Sequence, residues 1–134
     1  MTTFELDPRI DRETLLVTDL GLTQLRLMND RRFFWLMLVP KRPDITEVHE
    51  LSPLDQTMLT FETAQIARTL KTVTDADKIN VAALGNKVRQ LHVHVIARFE
   101  GDPAWPDPVW SAGAGEPYRP GEAQAFIDRF SAAF

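Results

Sequence analysis

The sequence predicts an α+β fold: an antiparallel sheet with one main helix packed on it and a C-terminal helix. Three observations carry this. Short apolar or alternating runs come in pairs on either side of one long amphipathic segment, giving the order strand, strand, helix, strand, strand, tail. The long segment starts with a strong helix-capping signal at Ser52-Pro53-Leu54-Asp55. The second pair of strands ends in Gln90-Leu91-His92-Val93-His94-Val95-Ile96, which alternates with a period of two.

The elements follow in order. Asp7-Pro8 and the charged run to Glu13 read as a turn with a short helix. Thr23-Gln24-Leu25-Arg26-Leu27-Met28 alternates, so it reads as a strand with Leu25 and Leu27 on one face. Asn29-Asp30-Arg31-Arg32 is a polar turn. Phe34 to Val39 is a continuous apolar run stopped by Pro40, the pattern of a central strand covered on both faces. The two strands form a hairpin. Ser52 can cap the next helix, Pro53 suits its first position, and Asp55 suits its positive end. The helix is expected to reach about Thr72. Leu59, Ile66, Leu70 and Val73 share one side of it, with Met58 and Phe61 beside them. Residues Ile79 to Leu84 read as a strand and Gly85-Asn86 as a turn. After Gly101 the chain is loop-like through Trp105-Pro106-Asp107-Pro108-Val109-Trp110, an apolar, proline-stiffened segment with no obvious intramolecular partner that suits an interface between two copies of the chain, and Gly121 to Phe134 closes as a helix.

Composition narrows the function. The 134 residues suit one domain, spanning 1–134. Hydrophobic content is 44% and charged content 25%, as in an ordinary soluble globular chain. Net charge is −4 and the basic residues are scattered, which argues against a long nucleic acid partner. With no cysteine there is no disulfide, thiolate metal site or thiol nucleophile. The longest apolar stretch, Phe33 to Pro40, is too short to span a bilayer. The first residues carry no signal-peptide pattern, so the expected location is cytoplasmic.

The Gln-His-His face is the chemical feature. A strand sends residues 90, 92 and 94 to one side, about 6.5–7 Å apart, and Leu91, Val93 and Val95 to the other. Neutral imidazole is a good nucleophile, and phosphorus is a natural target that would give a covalent nucleotidyl-histidine. Gln90 is expected to donate to a non-bridging oxygen and His94, if protonated, to phosphate or the leaving group. The Gly85-Asn86 turn supplies further donors. Such a scheme needs no metal and no cofactor. Two other readings are open for the same residues. A His-x-His can be structural, and His at i and i+2 on a strand can ligate a metal. Gly85, His92, His94 and Glu100 loosely match a cupin motif, but a long central helix does not suit an all-β barrel. His49 lies in a charged run and reads as a surface residue.

The heptapeptide resembles the histidine triad (HIT) signature, His-φ-His-φ-His-φ-φ, where φ is apolar. The resemblance covers most of the chain. Leu25-x-Leu27-x-Asn29-Asp30 looks like the first strand of that family, Phe34 to Pro40 like the next, and Asn80…Gly85-Asn86 like the approach to the triad. Trp105-Pro106 resembles the Trp-Pro of the phosphoramidase branch. The resemblance implies an α+β fold, usually a homodimer, that binds a purine nucleotide and attacks its α-phosphate. By motif position His92 would be the nucleophile and His94 the third triad member. Asn86 would bind phosphate, Asn29 or Asp30 would hold the ribose, and Leu27 and Met28 would line the base pocket. Candidate substrates are dinucleoside polyphosphates and adenosine phosphoramidates. The alternative is a nucleotide-binding protein of the same fold without turnover. Two positions depart from the pattern: Gln90 stands at the first triad position, and Trp35 where the phosphoramidase branch has a further histidine.

Overall fold

The computed structural model describes residues 3–134. Its elements are α1 (Pro8–Glu13), β1 (Thr14–Asp19), β2 (Thr23–Met28), β3 (Phe34–Pro40), α2 (Pro53–Thr74), β4 (Lys78–Ala82), β5 (Val93–Arg98) and α3 (Glu122–Ala133), with 3-10 turns at Val48–Glu50 and Val109–Ala112. Five antiparallel strands form one sheet in the order β1-β2-β3-β5-β4. The α+β architecture expected from the sequence is the one observed.

The sheet has two different faces because side chains alternate across it. Leu25, Leu27, Leu36, Leu38, Val93, Val95 and Ala97 pack with Leu59, Ile66 and Leu70 of α2 and with Phe126 and Phe130 of α3. On the other face Trp35 and Ile96 pack with Phe33 and Val109, and Met37 and Val39 with Ile10 of α1. Among the described residues no helix as long as α2 covers this second face, and the histidines lie there.

The start of α2 follows its sequence signal. Ser52 Oγ accepts from the Asp55 N–H at 3.1 Å, and Pro53 occupies the first turn. Phe61, expected beside the apolar stripe, is 63% exposed, and its neighbour Glu62 is buried instead. Glu62 accepts from the N–H groups of Leu22 and Thr23 at 2.8 and 3.0 Å and from Thr23 Oγ1 at 2.8 Å. The carboxylate thus satisfies the backbone where β2 begins.

Three boundaries differ from expectation. Strand β1 was not foreseen; Leu15 and Val17 are only partly buried, and a bulge between Leu16 and Thr18 breaks its alternation. The second-last strand ends at Ala82 rather than Leu84. The final strand starts at Val93, so Gln90, Leu91 and His92 precede it. The Trp105–Trp110 segment, read as having no intramolecular partner, is packed on its own domain. Arg98 lies over the Trp105 ring at 5.7 Å, Val109 is buried, and Trp110 packs edge-on against Trp35 at 5.6 Å.

Candidate active site

Register brings the site together. His94 pairs across the sheet with Met37 of β3 and Ala82 of β4, and Trp35 pairs with Ile96 of β5. Trp35 and His94 therefore project from the same face on adjacent strands. His92 sits one step before β5, and its ring meets the His94 ring edge-on at 4.8 Å. Both histidines are nearly covered, at 8% and 4% exposure.

Each imidazole has a defined proton. His92 Nδ1 lies 2.6 Å from the Gln90 carbonyl oxygen. A carbonyl only accepts, so Nδ1 carries the proton and Nε2 of the neutral ring keeps its lone pair. His94 is the reverse. Trp35 Nε1 donates to His94 Nδ1 at 2.9 Å, which places the proton of the neutral ring on Nε2. Burial first, and then repulsion from His92 whenever that ring is protonated, lower the His94 pKa to about 3. His94 is therefore a neutral donor near neutral pH, where the protonated form considered from the sequence is not the one present.

A cavity of about 400 Å³ opens over the two histidines and is lined also by Met28, Met37, Glu13, Asn86 and Trp110. A second cavity of about 660 Å³ shares Met28, Lys87, Glu13 and Trp110 with it and reaches Asn29 and Asp30. Together they form a groove running from the histidines to the end of β2. Trp110 stands over His94 at 5.0 Å and remains 42% exposed.

The wall beyond Trp35 is fixed by a buried cation. Arg98 donates to both Asp102 oxygens at 2.8 and 3.0 Å, to Asn80 Oδ1 at 2.8 Å and to the Asp107 carbonyl at 2.8 Å. Burial would raise the Asp102 carboxyl, but Arg98 and the N–H groups of Phe99, Ala104 and Trp105 outweigh it and hold the pKa at about 2.

A model of the HIT domain matches residues 10–101. The chain belongs to the HIT domain family. A histidine triad protein from Sinorhizobium meliloti 1021 is 59% identical, with a TM-score of 0.96 over 100% of this chain and 99% of that one. One from Bradyrhizobium japonicum is 40% identical (TM-score 0.95, 98% of each chain). One from Marinobacter aquaeolei VT8 is 36% identical (TM-score 0.96, 98% and 96%). No curated protein matches the sequence.

In this HIT domain His92, His94, Asn86 and Met28 line one cavity, and Asn29 and Asp30 lie along the same groove. Gln90 and Leu27 do not join them. Gln90 Oε1 accepts from the Asp7 N–H at 2.8 Å and its Nε2 donates to the Glu5 carbonyl at 2.8 Å. The amide binds the N-terminal segment, because residue 90 lies outside the ladder that fixes alternation. The expected phosphate donor is thus corrected to a clamp. Leu27 is fully buried on the α2 side; the one-residue offset from Met28 turns it away from the groove. Asp30 is also committed, being 4% exposed and bonded to Arg32 Nε and Nη2 at 2.9 and 2.8 Å. Asn29 is exposed, and its Oδ1 accepts from the Tyr118 N–H at 2.9 Å. Sequence reasoning missed Trp110, Glu13 and Lys87 as groove residues. Only the aromatic-proline run around Trp110 was a visible signal, and it was read as an interface.

Proposed function

We propose that this HIT domain is a nucleotide-binding hydrolase or transferase. His92 attacks the α-phosphate of a purine nucleotide conjugate and forms a covalent nucleotidyl-histidine. The observation that carries this reading is the 2.6 Å bond from His92 Nδ1–H to the Gln90 carbonyl, which leaves Nε2 unprotonated beside an open cavity. His94 Nε2–H and the Asn86 amide supply neutral donors for charge developing on phosphate. Asn29 is the better ribose partner, since the Asp30 carboxylate is already bound to Arg32. Met28 takes the base-pocket role. Dinucleoside polyphosphates and adenosine phosphoramidates are the substrates to test, and we expect turnover without a divalent metal.

The relatives are named only as histidine triad proteins, so a binding protein without turnover is the second reading; the buried, neutral His94 favours it. Acid-quench trapping of radiolabelled adenylate on the wild type and on His92→Ala separates the two. An adduct on the wild type alone supports catalysis; nucleotide binding with neither adduct nor turnover supports the second reading. We further propose a homodimer. Strand β4 is a sheet edge, and Val81 and Leu84 are exposed at 53% and 51%. Sedimentation at micromolar concentration tests it, and a monomer refutes it.

A further inference from the structure

The bond from Trp35 Nε1 to His94 Nδ1 has a chemical direction. An indole N–H donates and never accepts. It therefore holds His94 in the tautomer with its proton on Nε2 and occupies the only nitrogen that could take up a replacement. Trp35 is buried, and Trp110 packs edge-on against both rings, so the pair is held from two sides. His94 Nε2–H can give a hydrogen bond. It cannot give the proton away, because Trp35 has no second proton to pass to Nδ1 and an imidazolate would remain.

We propose that Trp35 is a specificity-determining positioning residue: by fixing His94 as a donor that cannot act as an acid, it restricts the site to leaving groups that depart as stable anions. The inference rests on His92 being the nucleophile. In the first step the His92 Nε2 lone pair forms an N–P bond to the α-phosphorus. The P–O bond to the leaving group breaks and its electron pair stays on that oxygen. A phosphate or polyphosphate leaves in this way with no added proton, steadied by the His94 Nε2–H. In the second step water attacks phosphorus, the P–N bond breaks, the pair returns to Nε2, and the water proton passes to solvent. An amine leaving group would have to depart as a strongly basic amide anion unless protonated, so phosphoramidates react poorly. The other charged or titratable groups near the histidines are Glu13 and Lys87 beside them in the groove, Arg12, Asp30 and Arg32 farther along it, and Glu47 and His49 in a cleft that also borders His92. Among the described residues none of them hydrogen-bonds to either imidazole.

The test compares kcat/KM for a diadenosine polyphosphate and adenosine phosphoramidate, two donors of the same adenylyl group. Wild type, Trp35→Phe and Trp35→His are measured across pH, with the His94 tautomer read by 15N NMR. The expected wild-type preference for the anhydride is about tenfold or more. Trp35→His, which places a titrating group beside Nδ1, is expected to cut that preference by about tenfold and to add an ionisation to the phosphoramidate pH profile. Trp35→Phe is expected to release the tautomer into a mixture. A smaller wild-type preference, an unchanged preference in folded Trp35→His, or a wild-type His94 carrying its proton on Nδ1 overturns the proposal. If those failures come with an adduct on His92, only this inference falls. If neither substrate turns over and no adduct forms, the proposed catalysis falls with it.

Discussion

The carbonyl of Gln90 and the ring of His92 form a 2.6 Å contact that spans two residues of chain. The same residue whose side chain anchors the N-terminal segment thus sets the tautomer of His92 through its backbone. The two roles of Gln90 are separable by mutation, because a side-chain substitution leaves the carbonyl in place.

Replacing His92 by Ala is expected to lower turnover by about 10³ or more while leaving the fold and nucleotide affinity largely intact, since no other group replaces a covalent nucleophile. Steady-state rates with one adenylyl donor check this. A variant keeping more than about a tenth of the wild-type rate would remove His92 from that role.

For Gln90→Ala the expected signature is on stability. Two hydrogen bonds to the 5–7 segment are lost, worth about 1–3 kcal/mol together, while kcat changes by less than about tenfold. Thermal unfolding and single-turnover rates measured on the same sample decide it. A rate loss of about 10²–10³ with unchanged stability would mean that the amide serves as an oxyanion donor after all.

His94 makes stability depend on pH. Its pKa falls from 6.5 unfolded to about 3 folded, so the unfolded state binds the proton first on acidification. The neutral ring's contribution is full above pH 6.5 and is lost as pH falls toward 3, with a slope of at most about 1.4 kcal/mol per pH unit. Denaturant unfolding between pH 4 and pH 7.5 should show a shallower dependence in His94→Gln than in the wild type. Parallel curves would count against a neutral buried His94.

The Arg98–Asp102 pair should be the most sensitive support of the site. Asp102→Ala leaves the buried Arg98 with only neutral acceptors and is expected to cost about 3–5 kcal/mol. In the wild type the depressed Asp102 pKa of about 2 adds stability above its unfolded pKa, near pH 4, and that stability disappears as pH drops through 2. A wild-type melting temperature in Asp102→Ala would show that the 99–110 loop is held by other contacts.

The sequence was informative where side-chain chemistry and local periodicity agree. Leu25 and Leu27 alternate cleanly, Ser52-Pro53 opens its helix, and His92 and His94 line one cavity although only His94 lies within the paired strand. It was uninformative where tertiary contacts override period. Residue 90 lies before the first paired residue of β5, so alternation could not aim its side chain, and the Glu5 and Asp7 backbone decided it instead. Nothing local marks Glu62 as a buried residue, because its partners, Leu22 and Thr23, are some 40 positions away. Trp110 carries no periodic signal at all. The loop that leads to it is tied down by Arg98, which binds Asp102 and the Asp107 carbonyl, contacts that no periodicity announces.

Trp35 and His94 are separated by 59 positions, and the whole of α2 and β4 is threaded between their strands. No hairpin or other local piece of the chain contains both. The tautomer of His94 therefore cannot be set in a partly folded chain; it waits on closure of the β3–β5 seam, the slow non-local event in a sheet of this topology. Backbone amides along that seam should exchange with solvent only through the largest opening of the molecule, and the site should gain its chemical identity in the same event that completes the sheet.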